Sequence, residues 1–153
     1  MIDFKFVHGL DEDAKFVRQK VFVEEQGFQE EEPEIDNRAW HFVVYYAGRP
    51  IGVARFYDED PETWHIGRVA VLKEYRHQKV GRYIMKFVET KIEKELGGRW
   101  AILQAQIEQK DFYLRCGYHP INDGEIIYDQ GHPHIMMAKF LKKNSKYKPR
   151  TKY

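Results

Sequence analysis

The sequence predicts an α+β fold, a central mixed and mostly antiparallel sheet flanked by helices. Three observations carry that expectation. Residues 41–46 and 51–57 are rich in β-formers and flank Ala47-Gly-Arg-Pro50, which is a hairpin signal. An apolar strand-like run over residues 64–72 is followed by an amphipathic helical pattern and another apolar strand, so one parallel crossover interrupts the antiparallel connections. Two further strand-like stretches, residues 125–128 and 134–141, surround the turn Asp129-Gln-Gly-His-Pro133.

Taken in order, residues 2–7 alternate well enough for a first strand, and Gly9 breaks it. Residues 11–25 place Ala14, Val17 and Val21 at helical spacing, with Phe16 and Phe22 on neighbouring rows. Asp11 or Asp13 is available as an N-cap, and Gly27 ends the helix. The acidic residues Glu30, Glu31, Glu32, Glu34 and Asp36 follow. Pro33 within them disfavours a continuing helix, and the segment reads as a loop that could wall a binding site for a cationic molecule. Residues 58–63 form a polar turn. Residues 80–96 repeat apolar side chains at Val80, Ile84, Phe87, Val88 and Ile92, and Gly97-Gly98 closes that helix. Residues 100–105 form a strand, and residues 109–116 a short helix ended by Gly117.

At 153 residues, with 42% hydrophobic and 15% aromatic content, the chain is large and apolar enough for one domain with a real core. No apolar run approaches the ~18 residues that span a membrane, and the N-terminus lacks the basic start and apolar core of a signal peptide. One cysteine, Cys116, excludes an internal disulfide and fits a reducing compartment, so the expectation is a cytoplasmic protein without membrane association. The net charge of +1 conceals a division. Residues 142–153 hold six basic residues and no acidic ones, whereas residues 1–141 carry 19 Lys and Arg against 24 Asp and Glu. A body with that balance does not suit a nucleic-acid-binding core; only the basic tail could touch RNA. The expected organisation is one domain over residues 1–141 and a solvated tail over 142–153. His119, His132 and His134 show no metal-ligand spacing, so no metal is expected.

The stretch over residues 75–85 concentrates the chemistry. A strand, a short loop with basic residues and a glycine, then a helix make an anion site, because the amides of the loop and first helical turn point outward with the helix dipole behind them. A ligand carrying phosphates is expected there.

Gly67-Arg-Val-Ala-Val-Leu-Lys-Glu-Tyr-Arg-His-Gln-Lys-Val-Gly81 resembles the acetyl-CoA-binding motif of the GNAT N-acetyltransferases, and Phe112-Tyr-Leu-Arg-Cys-Gly-Tyr118 resembles their second motif, a short helix reading Phe-Tyr-x-x-x-Gly-Phe. Arg18-Gln-Lys-Val-Phe-Val-Glu-Glu-Gln-Gly27 with Asp36, and Asp129-Gln-Gly-His-Pro-His-Ile-Met136, resemble the ElaA-like subgroup. The resemblance covers residues 2–141 and implies the GNAT fold, acetyl-CoA as co-substrate, a small-molecule or peptide amine as acceptor, and homodimers of the kind many members form. The reaction implied is direct attack of a primary amine on the thioester. The alternative is a catalytically weak module that binds acetyl-CoA or a partner.

Roles follow from that resemblance. The amides around His77, Gln78, Lys79, Val80, Gly81 and Arg82 would cradle the pyrophosphate, with Arg76, Lys79 and Arg82 adding charge. An N–H among Val69, Ala70 and Val71 would polarise the acetyl carbonyl. Tyr113 is the candidate general acid, since a phenol with a reference pKa of about 10 stays protonated near neutrality. Gln106 stands where many members have asparagine, one methylene shorter. Glu25, His65 and His134 are candidates for the base that deprotonates the amine. Lys79 stands where the family usually has glycine, and is expected to give up glycine's freedom to adopt positive φ in exchange for an ammonium.

Overall fold

Alternating apolar residues and one tight turn build the first three strands of the computed structural model, which describes residues 1–141 and 152–153. Strand β1 (Ile2–His8) pairs antiparallel with β2 (Trp40–Tyr46), from Ile2 opposite Tyr46 to His8 opposite Trp40. Strand β2 returns into β3 (Arg49–Asp60) through Ala47 and Gly48 alone. Both take positive φ, 48° and 80°, which is the turn a two-residue hairpin requires. Strand β4 (Thr63–Val71) follows after another short turn, capped by Asp60, whose Oδ1 accepts from the amides of Glu62 and Thr63, each at 2.9 Å.

Contacts divide the chain into two compact units, Met1–Asp58 with Ile66–Val88, and Glu59–His65 with Glu89–Tyr153. In the first, the strands run in the order β1-β2-β3-β4. One face of β2 and β3 receives helix α3 (Val80–Lys94) through its first residues. Gly52 permits that approach, because a Cβ there would sit 2.9 Å from the Ile84 Cδ1 and 3.5 Å from the Val80 Cγ1. Phe4, Phe6, Phe42, Tyr83 and Phe87 interlock on this face, with centroids 4.7 Å apart for Phe6–Phe42 and 4.4 Å for Tyr83–Phe87.

The opposite face carries charge. His41 and Arg55 are cross-strand neighbours, both buried, and they meet Arg18 from helix α1 (Glu12–Arg18) and Asp36 from helix α2 (Pro33–Arg38). The Arg18 Nη1 and Nη2 donate to the two Asp36 oxygens at 2.9 and 3.0 Å, and its Nε donates to the Glu30 Oε2 at 2.8 Å. The Arg55 Nη1 donates to Asp36 at 3.1 Å and its Nη2 to Glu32 at 2.8 Å. Arg68 joins from β4, donating to Glu32 at 2.7 Å. Three guanidinium groups thus face three carboxylates, with the His41 Nε2 3.1 Å from the Arg18 Nη1.

The order in the second unit is β4, β5 (Trp100–Gln106), β8 (His132–Phe140) and β6 (His119–Pro120), with β7 (Ile126–Asp129) also against β8. Strand β5 runs parallel to the start of β4 and antiparallel to β8, with Gln106 opposite His134. Helix α4 (Lys110–Arg115) follows β5, and the two-residue strand β6 pairs with Met137 and Ala138. Glu89 holds this unit's polar node, accepting from the Tyr118 hydroxyl at 2.8 Å and the Lys139 Nζ at 2.6 Å. Lys152 donates to Asp60 and Thr63, and the Tyr153 ring meets Trp100 edge-on at 5.3 Å, so the last two residues dock rather than hang in solvent. The rest of the expected solvated tail, residues 142–151, lies outside the described residues.

Three expectations for residues 11–36 need correction. The helix expected over 11–25 is α-helical only to Arg18; Gln19–Glu25 is π-helical, ending where the Gln26 amide donates to the carbonyls of Val21 and Val23. Pro33 does not keep its segment a loop: it occupies the first turn of α2, where a missing N–H costs nothing. The acidic segment is no uniform wall, because Glu30 and Asp36 turn inward and only Glu31 and Glu34 among its carboxylates are exposed.

Non-glycine residues also take positive φ at the end of β4 and in the loop after it, as Ala47, Asn122, Asp123 and Gln130 do elsewhere. Arg68, His77 and Lys79 have φ of 48°, 64° and 64°. Lys79 therefore retains the left-handed conformation that the usual glycine would take, contrary to expectation, at a cost of roughly 1–2 kcal/mol. Lys79→Gly is expected to raise stability by up to about 1 kcal/mol in urea denaturation, and the β-branched Lys79→Val to lower it by about 1–2 kcal/mol.

The charged cluster sets an acid limit. Against the opposing effect of burial, His41, Arg18 and Arg55 hold the Asp36 carboxyl far below the usual range, and Arg55 and Arg68 lower Glu32. The unfolded chain then binds more protons, so stability is complete above the ordinary carboxylate pKa of about 4 and falls as pH drops below it. The urea midpoint should fall between about pH 5 and 3. Asp36→Asn should cost about 3–5 kcal/mol at pH 7, as expected for a buried charge cluster missing one partner, and should flatten that acid dependence.

Candidate active site

Strand β4 ends at Val71, and the chain turns through a short 3₁₀ segment, Lys73–Tyr75, before the loop that enters α3. The turn is anchored by the Leu72 amide, which donates to the Ile51 carbonyl at 2.8 Å, and by the Tyr75 amide, which donates to the Leu72 carbonyl at 2.9 Å. His77, Gln78 and Lys79 are exposed, and the Lys79 carbonyl accepts the first helical bond, from Tyr83 at 3.1 Å. The amides of Val80, Gly81 and Arg82 therefore stand in the first turn, where an α-helix offers its donors no carbonyl of its own. Left-handed residues at His77 and Lys79 are the backbone from which anion-binding concavities are made. Lys79 and Arg82 project exposed cations from the same stretch. The loop can take a phosphate by backbone and by charge together.

Arg76 is placed differently from its neighbours. Its Nε donates to the Val71 carbonyl at 2.9 Å, and its two terminal nitrogens hold both oxygens of Glu25 at 2.6 Å each. Two residues separately expected to bind cofactor and to act as base thus meet in one bidentate pair. Arg76 lowers the Glu25 carboxyl, which keeps it ionised but makes it a weaker proton acceptor. The pair fastens the start of the loop to the π-helical segment, and residues Lys20, Val21, Glu25, Leu72 and Lys73 line a shallow cavity beside it.

Val69, Ala70 and Val71 follow Arg68 on the last stretch of β4, with Ala70 buried and the two valines half-buried. The left-handed φ at Arg68 interrupts the extended backbone immediately before them.

The second unit holds the remaining candidates. Tyr113 lies half-buried in α4, packed edge-on against Phe112 at 5.0 Å and Tyr118 at 6.0 Å. Burial pushes its phenol upward, with a smaller contribution from Cys116, so it is protonated throughout the neutral range. Gln106 ends β5 opposite His134 on β8. His134 is buried, and its Nδ1 lies 2.8 Å from the His132 carbonyl. A carbonyl only accepts, so the hydrogen of this contact sits on Nδ1. His65 is half-buried, with its Nδ1 3.2 Å from Glu59.

The charged cluster of Arg18, Glu30, Asp36, His41, Arg55 and Arg68 was not assigned from sequence. Its signal was present in two forms. Arg18 falls on the buried row of Ala14, Val17 and Val21, and His41 and Arg55 interrupt otherwise apolar strands.

Residues 10–141 match the family model described as an acetyltransferase (GNAT) domain. The chain is 38% identical over 129 residues to the uncharacterised N-acetyltransferase YjcF of Bacillus subtilis, covering 83% of this chain and 90% of that protein. It is 31% identical over 106 residues to protein ElaA of Escherichia coli, covering 68% and 67%. The crystal structure of E. coli ElaA aligns with a TM-score of 0.76 at 29% identity, covering 91% of this chain and 99% of that one. A GNAT family acetyltransferase from Elizabethkingia anophelis with acetyl-CoA bound shares the fold at a TM-score of 0.72 and 17% identity, covering 92% and 98%. A mixed sheet flanked by helices, and a basic loop with left-handed turns leading into a helix, agree with those matches: the chain belongs to the GNAT acetyltransferase family, in its ElaA-like subgroup, whose enzymes use acetyl-CoA.

Proposed function

We propose that this enzyme moves the acetyl group of acetyl-CoA to a primary amine by direct attack of the amine on the thioester. The observation that carries the reading is the loop over residues 76–82, where two non-glycine residues hold left-handed backbone at the entrance to a helix. Such strain persists where the surrounding structure enforces it and clusters at ligand sites. The amides of Gln78, Lys79, Val80, Gly81 and Arg82 take the pyrophosphate, and His77, Lys79 and Arg82 add polar and cationic contacts. Arg76 contributes by holding the loop through Glu25, not by pairing with phosphate.

An N–H among Val69, Ala70 and Val71 donates a hydrogen bond to the acetyl oxygen as negative charge grows on it. The neutral amine attacks the carbonyl carbon, the C–S bond breaks, and Tyr113 protonates the departing thiolate. His134, with Nε2 as its basic nitrogen, removes the proton the amine must lose, and Gln106 steadies the strand end opposite it. Glu25 is set aside as base, since its guanidinium partner stabilises the ionised form. The catalytic unit is residues 1–141. A single half-buried cysteine fits a reducing, cytoplasmic setting.

Free-thiol release from acetyl-CoA over a panel of small amines and lysine peptides tests the activity. Tight acetyl-CoA binding without turnover on any amine would favour the binding-module reading instead. Tyr113→Phe is expected to lower kcat by about 10²-fold with little change in acetyl-CoA affinity; unchanged kcat in a chemistry-limited assay removes Tyr113 from the mechanism. The base is tested by removing its basic nitrogen while keeping a polar side chain of similar reach. His134→Gln is expected to lower kcat by about 10²-fold with little change in acetyl-CoA affinity, and an unchanged kcat in a chemistry-limited assay assigns the base elsewhere.

A further inference from the structure

Arg68 occupies a backbone conformation that only glycine adopts without penalty, in the middle of a strand, and nothing in its own chemistry asks for it. Its neighbour Gly67 would have been the inexpensive choice, yet the positive φ falls on the arginine. A non-glycine residue stays there only when its surroundings over-determine it. The surroundings are specific. The Arg68 Nη2 donates to the Glu30 carbonyl at 3.0 Å and to the Glu32 Oε1 at 2.7 Å, and its Nε lies 3.4 Å from the Glu30 Oε2. Glu30 and Glu32 are themselves held by Arg18 and Arg55, each at 2.8 Å, so the clamp is anchored in the buried charged cluster.

A left-handed residue rotates the peptide planes on either side of it, which is how bulges re-aim the residues that follow. Those residues here are Val69, Ala70 and Val71, whose amides are proposed to meet the thioester carbonyl. We infer that Arg68 is a positioning residue: its guanidinium, clamped by Glu30 and Glu32, holds the kink in β4 that aims the amides of residues 69–71 at the acetyl oxygen. It touches neither cofactor nor amine in this role. The inference rests on the transferase reading for its purpose, but the geometric claim stands separately.

Glycine distinguishes a kink-holder from a residue that binds substrate or fills space. Arg68→Gly loses the clamp but adopts positive φ freely, whereas Arg68→Ala loses the clamp and resists that backbone. With acetyl-CoA and the best amine of the panel, Arg68→Ala should lose about 10- to 100-fold in kcat, the scale of a misaimed catalytic group, while Arg68→Gly stays within about 3-fold of the native enzyme. KM for the amine should change little in either. In amide nuclear magnetic resonance spectra, Arg68→Ala should shift Val69, Ala70 and Val71, and Arg68→Gly should leave them near their native positions. Glu32→Gln, which keeps Arg68 and weakens the clamp together with the Arg55 contact, should shift the same amides by less, and it serves if Arg68→Ala does not fold. Equal loss of kcat in the glycine and alanine variants, or undisturbed amides at 69–71 in both Arg68→Ala and Glu32→Gln, overturns the inference. If the native protein releases no thiol with any amine, the transferase reading falls, and the amide spectra still decide whether Arg68 sets the backbone.

Discussion

The constraint on which the first unit depends is the neutralisation of a buried cluster of charge. Arg18 and Arg55 are almost fully buried, at 1% and 3% exposure, and Asp36 at 4%. None of these groups could leave water alone, since an isolated buried ion costs several kcal/mol even after relaxation. They are tolerable only as a set, and the set requires five elements at once: α1 for Arg18, the segment before α2 for Glu30 and Glu32, α2 for Asp36, β2 for His41 and β3 for Arg55. An apolar core accepts many small rearrangements, whereas a charge network accepts few, because any displaced partner leaves an uncompensated charge. The cluster therefore gives register and position more than it gives net stability.

That register passes to the site along two routes. Arg68 carries it into β4 through Glu30 and Glu32, and the strand's left-handed residue sits immediately before the three residues proposed to hold the acetyl carbonyl. Glu25 carries it into the loop: α1 runs on into the π-helical segment, whose last residue grips Arg76 at the loop's entrance. The π-helical segment that follows the buried Arg18 thus ends in Glu25, an exposed carboxylate that sets the phosphate loop. A one-residue change in the helical path would rotate Glu25 away from Arg76, which gives the π-helical winding a reason beyond local preference.

Periodicity made most of the strands and α3 legible, because burial on one face imposes a period the sequence must show. The motifs over residues 67–81 and 112–118 located the loop and Tyr113. What escaped were features decided by partners distant in sequence. The π-helical winding over Gln19–Glu25 shares its apolar residues with an α-helix and differs only in hydrogen bonding. Pro33 breaks a helix that arrives and begins one that departs, and composition alone does not say which. The acidic run declared its charge but not its arginines, which lie 12 to 38 residues away. Lys79 was expected to lose a conformation it in fact keeps, because propensity measures cost and not whether the rest of the molecule bears it.

This neutralisation bears on how an amine would be chosen. The acidic segment is matched by Arg18, Arg55 and Arg68, so its field at a distance is far weaker than its composition suggests. Glu31 and Glu34 remain exposed, and the balance of −5 over residues 1–141 is spread across the surface. At physiological salt such charges are screened beyond about 8 Å. Long-range steering by this segment is then a poor basis for selectivity. Discrimination between one amine and another must come from contacts within hydrogen-bonding reach, so acceptor preference should depend on the shape and donors of the amine's neighbourhood more than on its total positive charge.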